Sequence, residues 1–159
     1  MQLINVILAI SAIASAIFAY FTWKSSLKHV QIEYVFHIYK DIIKWLNSHK
    51  GAHKWVYDPK SNQGLLKENW DNWGFDDFLG YFEAIWSLKK KGAIDIELVY
   101  DLLSDFLFSM LDETDELKNC IQQLRSEFKK EKGYPSDYYK GISELYAELK
   151  KYQKTYIKI

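Results

Sequence analysis

The sequence predicts an all-α protein, with an N-terminal transmembrane helix that continues into a cytosolic bundle of about four to five helices. Three observations predict it. The chain begins with a long uncharged apolar run, apolar residues recur with a helical period afterwards, and only two Pro and seven Gly occur in 159 residues. No segment shows the alternation of a half-buried strand. We therefore divide the chain into a transmembrane helix (1–23), a juxtamembrane stalk helix (24–50) and a cytosolic helical domain (51–159) packed with the stalk.

The apolar run Leu3–Trp23 has 21 residues and no charge, which is about what an α-helix needs to cross a bilayer. A cleaved secretory signal is the alternative, because the segment from Ala12 to Ala16 contains small-x-small patterns. We favour the spanning helix, since the run exceeds the length of a signal core and no basic residue precedes it. Lys24 and Lys28 follow the run, which predicts an inner (cytoplasmic) membrane protein with its N-terminus outside and its C-terminal domain in the cytoplasm.

Small residues recur along one face of this helix and predict association in the membrane. They stand three or four residues apart: Asn5, Ala9, Ala12, Ala16 and Ala19. A face of small residues lets helices approach closely, and an intramembrane Asn can hydrogen-bond to a partner helix. Ala is also common in membrane helices, so the sequence leaves self-association and an incidental stripe equally open.

Neither Pro nor Gly occurs between Leu3 and Lys50, so the first helix is expected to run into the domain and to stop at Gly51. Residues 51–75 contain turn-forming pairs and are expected to form one long irregular stretch. This stretch holds three indoles: Trp55, Trp70 and Trp73. Exposed, they would form a ligand or partner surface; folded inward, which we favour, they would cover the core.

The remaining elements are predicted as helices bounded by capping residues. One begins at Asp76 or Asp77 and closes at Lys91 and Gly92, and the next is capped by Asp95, so that the two form a helical hairpin. Another extends from about Asp115 to Gly133, and the last begins near Ser136 and runs close to the C-terminus.

Within the hairpin, three short segments resemble the core motif of a prokaryotic family of unknown function: Tyr81-Phe82-Glu83-Ala84-Ile85, Lys91-Gly92-Ala93-Ile94-Asp95 and Leu98-Val99-Tyr100. The resemblance covers roughly residues 10–110. It implies one N-terminal membrane helix before a small cytosolic helical domain, and it implies no established activity. Members of that family recur among mobile-element and antiviral defence genes.

The net charge of zero is the sum of three unlike parts. Residues 24–60 hold seven Lys against three acids, residues 65–117 hold four Lys against thirteen acids, and residues 118–159 hold ten basic residues against five acids. Basic clusters with nearby aromatics could contact an anionic ligand or anionic lipid. They are Lys89, Lys90 and Lys91, then Lys129, Lys130 and Lys132 beside Tyr134. With Arg125 as the only Arg, duplex nucleic acid is not an expected partner.

The sequence offers no catalytic constellation, and we expect a non-enzyme without cofactor or metal. His49 and His53 have the spacing of two metal ligands, but Gly51 lies between them and no third ligand is evident. Asp101 and Asp105 share a helix face, which more often faces water than holds a cation. No phosphate-binding glycine loop or nucleophile motif occurs. The single Cys120 fits a reduced thiol.

Two functions follow as expectations. The first is an oligomerising membrane effector or signalling protein whose cytosolic domain senses a ligand or partner; one form of this hypothesis has copies gathering their Lys clusters around a nucleotide messenger in antiviral defence. The second is a passive anchor or scaffold for a cytosolic protein. The expected partners are therefore the bilayer, further copies of the chain, and a nucleotide messenger or cytosolic protein.

Overall fold

The structure is a computed structural model that describes residues 2–133, 137 and 139–156, with side chains from residue 15 onward. These ranges are helical throughout apart from short connections and contain no strand, which confirms the all-α prediction. The helices are α1 (Gln2–Ser48), α2 (Lys50–Tyr57), α3 (Leu65–Asn69), α4 (Phe75–Lys90), α5 (Ile96–Asp112), α6 (Glu116–Lys132) and α7 (Lys140–Tyr156). The chain divides into two compact units, Met1–Tyr34 and Val35–Ile159.

The second unit is built on a single hydrophobic core. The last part of α1 supplies four apolar side chains spaced by three or four residues, which is the spacing of one helix face: Val35, Ile38, Ile42 and Leu46. The largest fully buried side chains of this unit are aromatic, namely Trp55, Phe75, Phe78 and Phe82. Trp45, half-buried on α1, stacks on Phe78 with ring centroids 4.5 Å apart. Of the predicted stalk, residues 24–50, the part from Val35 onward contributes the four apolar side chains from Val35 to Leu46 to the core of this unit.

The region expected to be one irregular stretch contains α2 and α3, so this prediction was wrong. The helix α2 forms because Ala52, Trp55 and Val56 share one buried face, which favours a helix even in a short segment. Gly51 was expected to stop α1, yet it lies within α2. A Cβ atom at Gly51 would stand 2.8 Å from Cζ2 of Trp73, so glycine is required here for close approach of the indole.

The hairpin of α4 and α5 has nearly its predicted bounds. The left-handed residue before α4 is Gly74, so neither Asp76 nor Asp77 is the N-cap as expected. Both aspartates lie in the first turn of α4, where a carboxylate is stabilised by the positive end of the helix dipole. Asp95 stands before α5 at the expected N-cap position and in an extended conformation, but its side chain makes no capping hydrogen bond.

The prediction for α6 is confirmed, with Asp115 before its first residue and Gly133 in the left-handed conformation after its last. The last helix was expected from about Ser136, which lies outside the described residues, and α7 is described from Lys140.

The helix α7 packs on both helices of the hairpin. Near the start of α7, Ile142 contacts Glu83 of α4, and further along α7, Glu148 contacts Lys89, which is also further along α4. The helix α7 therefore runs parallel to α4. Contacts to α5 run the opposite way, since Tyr100 meets Tyr152 and Phe108 meets Tyr146.

The N-terminus of α7 is fixed by a carboxylate from α4. Oε1 of Glu83 accepts a hydrogen bond from the backbone N–H of Ile142 at 2.9 Å, one of the amides that a helix leaves without an internal partner. Glycine at position 141 permits this approach, because a Cβ there would overlap the Glu83 carboxylate and stand 2.7 Å from Cδ1 of Trp86. The same end of α7 is held further along by Trp86, whose Nε1 donates to Glu144 at 2.7 Å.

Candidate membrane and partner surfaces

The part of α1 between residues 15 and 34 is uncovered. Every residue in this range is exposed except Gln31, which is half-buried. The exposed residues include nine large apolar side chains: Ile17, Phe18, Tyr20, Phe21, Trp23, Leu27, Val30, Ile32 and Tyr34. This many exposed large apolar side chains on one helix mark a site of protein or membrane interaction.

This surface has two chemically different parts. Residues 15–23 carry no charge, and their aromatic rings touch, with Tyr20 and Trp23 centroids 6.3 Å apart and Tyr20 and Phe21 centroids 5.8 Å apart. The Thr22 hydroxyl in this part donates to the carbonyl of Phe18 at 2.9 Å. Residues 24–34 mix apolar side chains with charged ones. The change from one part to the other falls between Trp23 and Lys24.

Two of the five residues predicted to mediate membrane association, Ala16 and Ala19, are described and exposed. The side chains of Asn5, Ala9 and Ala12 lie outside the described residues. Within the described part of the chain, we find no helix that is both long enough and apolar enough to be a membrane span.

The three indoles considered for a ligand surface lie against the core instead of forming an exposed face. Trp55 is fully buried, and its Nε1 donates to Oε2 of Glu116 at 2.8 Å. Trp70 is also buried, with its ring 5.1 Å from that of Phe75. Trp73 is half-buried over Gly51. Burial removes most of the apolar area of these rings from water, so the inward alternative holds for all three.

The basic clusters are partly committed to contacts within the domain. Lys89 is half-buried, lies 3.9 Å from Glu148 and stands over the Trp86 ring at 5.8 Å. Lys90 and Lys91 are exposed at the end of α4. At the end of α6, three lysines are exposed: Lys129, Lys130 and Lys132. Lys132 pairs with Glu131 at 2.7 Å, and Tyr134 lies outside the described residues.

Sequence reasoning missed a polar groove of about 510 Å³ beside the first half of α6. Its lining comes from the α2–α3 connection, from α3, from the α5–α6 connection and from α6: Gln63, Gly64, Lys67, Thr114, Asp115, Glu116, Asn119, Cys120 and Gln123. Glu116 joins its two walls, since it accepts from the Trp55 indole at 2.8 Å and from the backbone N–H of Lys67 at 3.2 Å. No linear motif marks this groove, because residues nearly fifty positions apart form it.

Cys120 is the one thiol in the groove, and its surroundings disfavour the thiolate form. Burial raises the pKa of the Cys120 thiol, the negative charge of Glu116 raises it further, and Lys67 opposes both effects. A thiol is nucleophilic only as the thiolate, and both burial and Glu116 disfavour the thiolate of Cys120. The amides and charged groups of the groove are suited to hydrogen bonding with a polar partner.

The histidines and aspartates considered for chemistry form no joint site in the described part of the chain. The Nδ1 atom of His49 lies 2.9 Å from the carbonyl of Trp45, and the His53 ring packs on Tyr57 with centroids 4.7 Å apart. Asp101 and Asp105 are exposed on α5. Among the described residues, no group of three or more His, Cys, Asp and Glu could hold a metal ion.

The fold and these surfaces define the chain as an all-helical protein with an uncovered apolar helix segment and a helical domain that bears a polar groove. Comparison with protein-family models, with curated proteins and with solved structures finds no match. The resemblance noted at the hairpin therefore rests on those short segments alone.

Proposed function

We propose that this protein is a single-pass protein of the cytoplasmic membrane that self-associates through its N-terminal helix and exposes a cytosolic helical domain to a ligand or partner. In this proposal, the apolar run Leu3–Trp23 is the span, and the domain transmits the binding event to the associated membrane helices. The single observation that carries the proposal is the uncovered apolar surface of residues 15–34.

Covering this apolar surface is worth a large free energy. Burying a large apolar side chain gains about 1.5–3 kcal/mol, so covering nine half-exposed ones is worth on the order of 10 kcal/mol. This is comparable to the whole stability of a typical domain. Exposure of this segment to water therefore costs free energy, which is recovered when lipid or protein covers the apolar side chains.

The order of residues at the end of the run supports the orientation. Tyr20 and Trp23 are the residue types enriched where a membrane meets water, and Lys24 and Lys28 follow them directly. Basic residues are retained on the cytoplasmic side during insertion. The unit that begins at Val35 then lies in the cytoplasm.

The polar groove beside α6 favours a second function, a membrane anchor or scaffold for a cytosolic protein. Its lining offers hydrogen-bonding groups, and the surroundings of Cys120 raise the pKa of its thiol instead of activating it as a nucleophile. In this alternative the partner sits in the groove and the membrane helices stay unchanged. Substituting Asn119 and Gln123, which line the groove, would release the partner, whereas Ala84 and Ala147, which are exposed elsewhere, provide neutral control positions.

The membrane part of the proposal is tested by alkaline carbonate extraction of membranes from cells that express the full chain. Ile13→Lys with Ile17→Lys places two charges near the middle of the run, each costing about 2.5–3.5 kcal/mol at a helix centre. The matched control, Tyr57→Lys with Tyr156→Lys, adds the same charge at two exposed positions of the domain.

We expect the wild type and the control to stay in the carbonate-resistant pellet and the double lysine variant to leave it. A wild-type chain that carbonate extracts completely would overturn the membrane proposal. So would a double lysine variant that stays in the pellet as fully as the wild type.

A further inference from the structure

The segment from residue 24 to residue 34 is too polar for lipid and too apolar for water. Seven of its eleven residues are polar: Lys24, Ser25, Ser26, Lys28, His29, Gln31 and Glu33. The other four are large apolar residues that are at least two-fifths exposed: Leu27, Val30, Ile32 and Tyr34. Since these side chains are exposed, no other described part of the chain covers them.

Three of the four apolar residues lie on one stripe, which continues the face of Ala16, Ala19 and Trp23. The positions are 16, 19, 23, 27, 30 and 34, at spacings of 3, 4, 4, 3 and 4 residues. The average of these spacings is about 3.6 residues, the repeat of a straight α-helix. The stripe therefore runs parallel to the helix axis and can face one straight partner helix along its full length.

The charges of this segment stand off the stripe. At about 100° per residue, Lys24 and Lys28 lie a quarter turn or more to one side, and Glu33 lies a quarter turn to the other. Ile32 is on the opposite face. A partner helix on the stripe would thus cover Leu27, Val30 and Tyr34 without burying a charge.

We infer that a second copy of this chain covers the stripe, so that two stalks pack in parallel and in register from Ala16 to Tyr34. The inference rests on the proposed membrane anchor. Each copy is anchored by its own identical membrane span, so all copies present the stripe at the same height above the membrane. This confinement raises their effective concentration. A bilayer cannot take that place beyond Trp23, because covering the stripe with hydrocarbon would also desolvate Lys24 and Lys28.

Disulfide cross-linking in isolated native membranes tests the inference, with an added oxidant that accepts the two electrons of each thiol pair, because cytoplasmic thiols are otherwise kept reduced. The full chain carries Cys120→Ser, which removes the native thiol, and then one new cysteine. Leu27→Cys, Val30→Cys and Tyr34→Cys lie on the stripe, whereas Ser25→Cys and His29→Cys lie about a third of a turn or more away from it. A disulfide needs Cβ atoms within about 3.5–4.5 Å, which helices packed along the stripe reach only at stripe positions.

We expect the stripe positions to form covalent dimers several-fold more efficiently than Ser25→Cys and His29→Cys. Equal cross-linking at all five positions, no cross-linking, or a maximum at the two positions off the stripe would overturn the inference. Carbonate extraction of the same membranes separates the two proposals. A chain that stays in the pellet without cross-linking along the stripe retains the anchor and loses the paired stalks, whereas a chain that is extracted loses the anchor itself.

Discussion

Replacing Gly141 by alanine should separate α7 from α4. A Cβ at this position overlaps the Glu83 carboxylate, stands 2.9 Å from Cδ of that residue and 2.7 Å from Cδ1 of Trp86. The two helices must move apart, and the hydrogen bond from the N–H of Ile142 to Glu83, 2.9 Å long, is then lost. Alanine is otherwise the better helix former, so propensity and packing act in opposite directions.

The magnitudes decide between these effects. Added volume in a packed interface costs about 1–3 kcal/mol, and losing a hydrogen bond to a charged group costs about 1.5–3 kcal/mol. The gain in helix propensity is about 1 kcal/mol. The net expectation is a destabilisation of about 2–4 kcal/mol by Gly141→Ala. At a typical urea dependence, this lowers the unfolding midpoint by about 1–2 M.

Gly80→Ala is the matched control, because Gly80 is an exposed glycine within α4 and a Cβ there meets no atom within 4 Å. It should raise stability by up to about 1 kcal/mol. Both variants are made in the full chain in mild detergent, and urea unfolding is followed by the fluorescence of the buried tryptophans. If Gly141→Ala proves as stable as Gly80→Ala, the close approach of α7 to α4 is wrong.

Three further predictions concern other contacts of the domain. Burial raises the pKa of Tyr146 to about 12, together with the hydrogen bond that Tyr146 donates to Asp112 and the negative charge of Asp112. The stability from this pair is therefore present below about pH 10 and is lost as the pH rises toward 12. Tyr146→Phe should flatten that part of a plot of melting temperature against pH. Burial would raise the pKa of Asp112, but the hydrogen bonds that Lys150 and Tyr146 donate to it outweigh burial and lower the pKa. The stability from these bonds is lost only as the pH falls through the lowered pKa. Asp112→Asn should therefore remove this loss of stability in acid. Glu116→Ala should cost about 2–3 kcal/mol in urea unfolding, because a buried indole N–H and the backbone N–H of Lys67 lose their acceptor, and a cost near zero would contradict that role.

The sequence predicts those elements best whose ends are marked by local chemistry. Asp115 and Gly133 bound α6 as expected, and Gly92, with φ of +70°, lies in the turn between α4 and α5 where the pattern placed it. Capping and left-handed glycine are properties of a few neighbouring residues. They can therefore be read without knowledge of the fold.

Features that depend on distant residues could not be predicted. Gly51 looked like a helix stop, and only the Trp73 ring packed above it explains glycine within α2. The buried Trp55 depends on Glu116, sixty-one residues away. The polar groove beside α6 has the same origin, since its walls meet only after folding.

The exposed surface of α1 could be predicted from the sequence only in part. Sequence periodicity places Leu27, Val30 and Tyr34 on one stripe, but their exposure became evident only once the core was known to begin at Val35.

The mass of the full chain in mild detergent, measured by light scattering and corrected for bound detergent, tests self-association most directly. We predict a defined oligomer that becomes a monomer when Ala12→Leu and Ala16→Leu crowd the small face, whereas Ala84→Leu with Ala147→Leu, at exposed positions of the domain, leaves the mass unchanged. A wild-type chain that is monomeric at every concentration would contradict the account and favour the anchor.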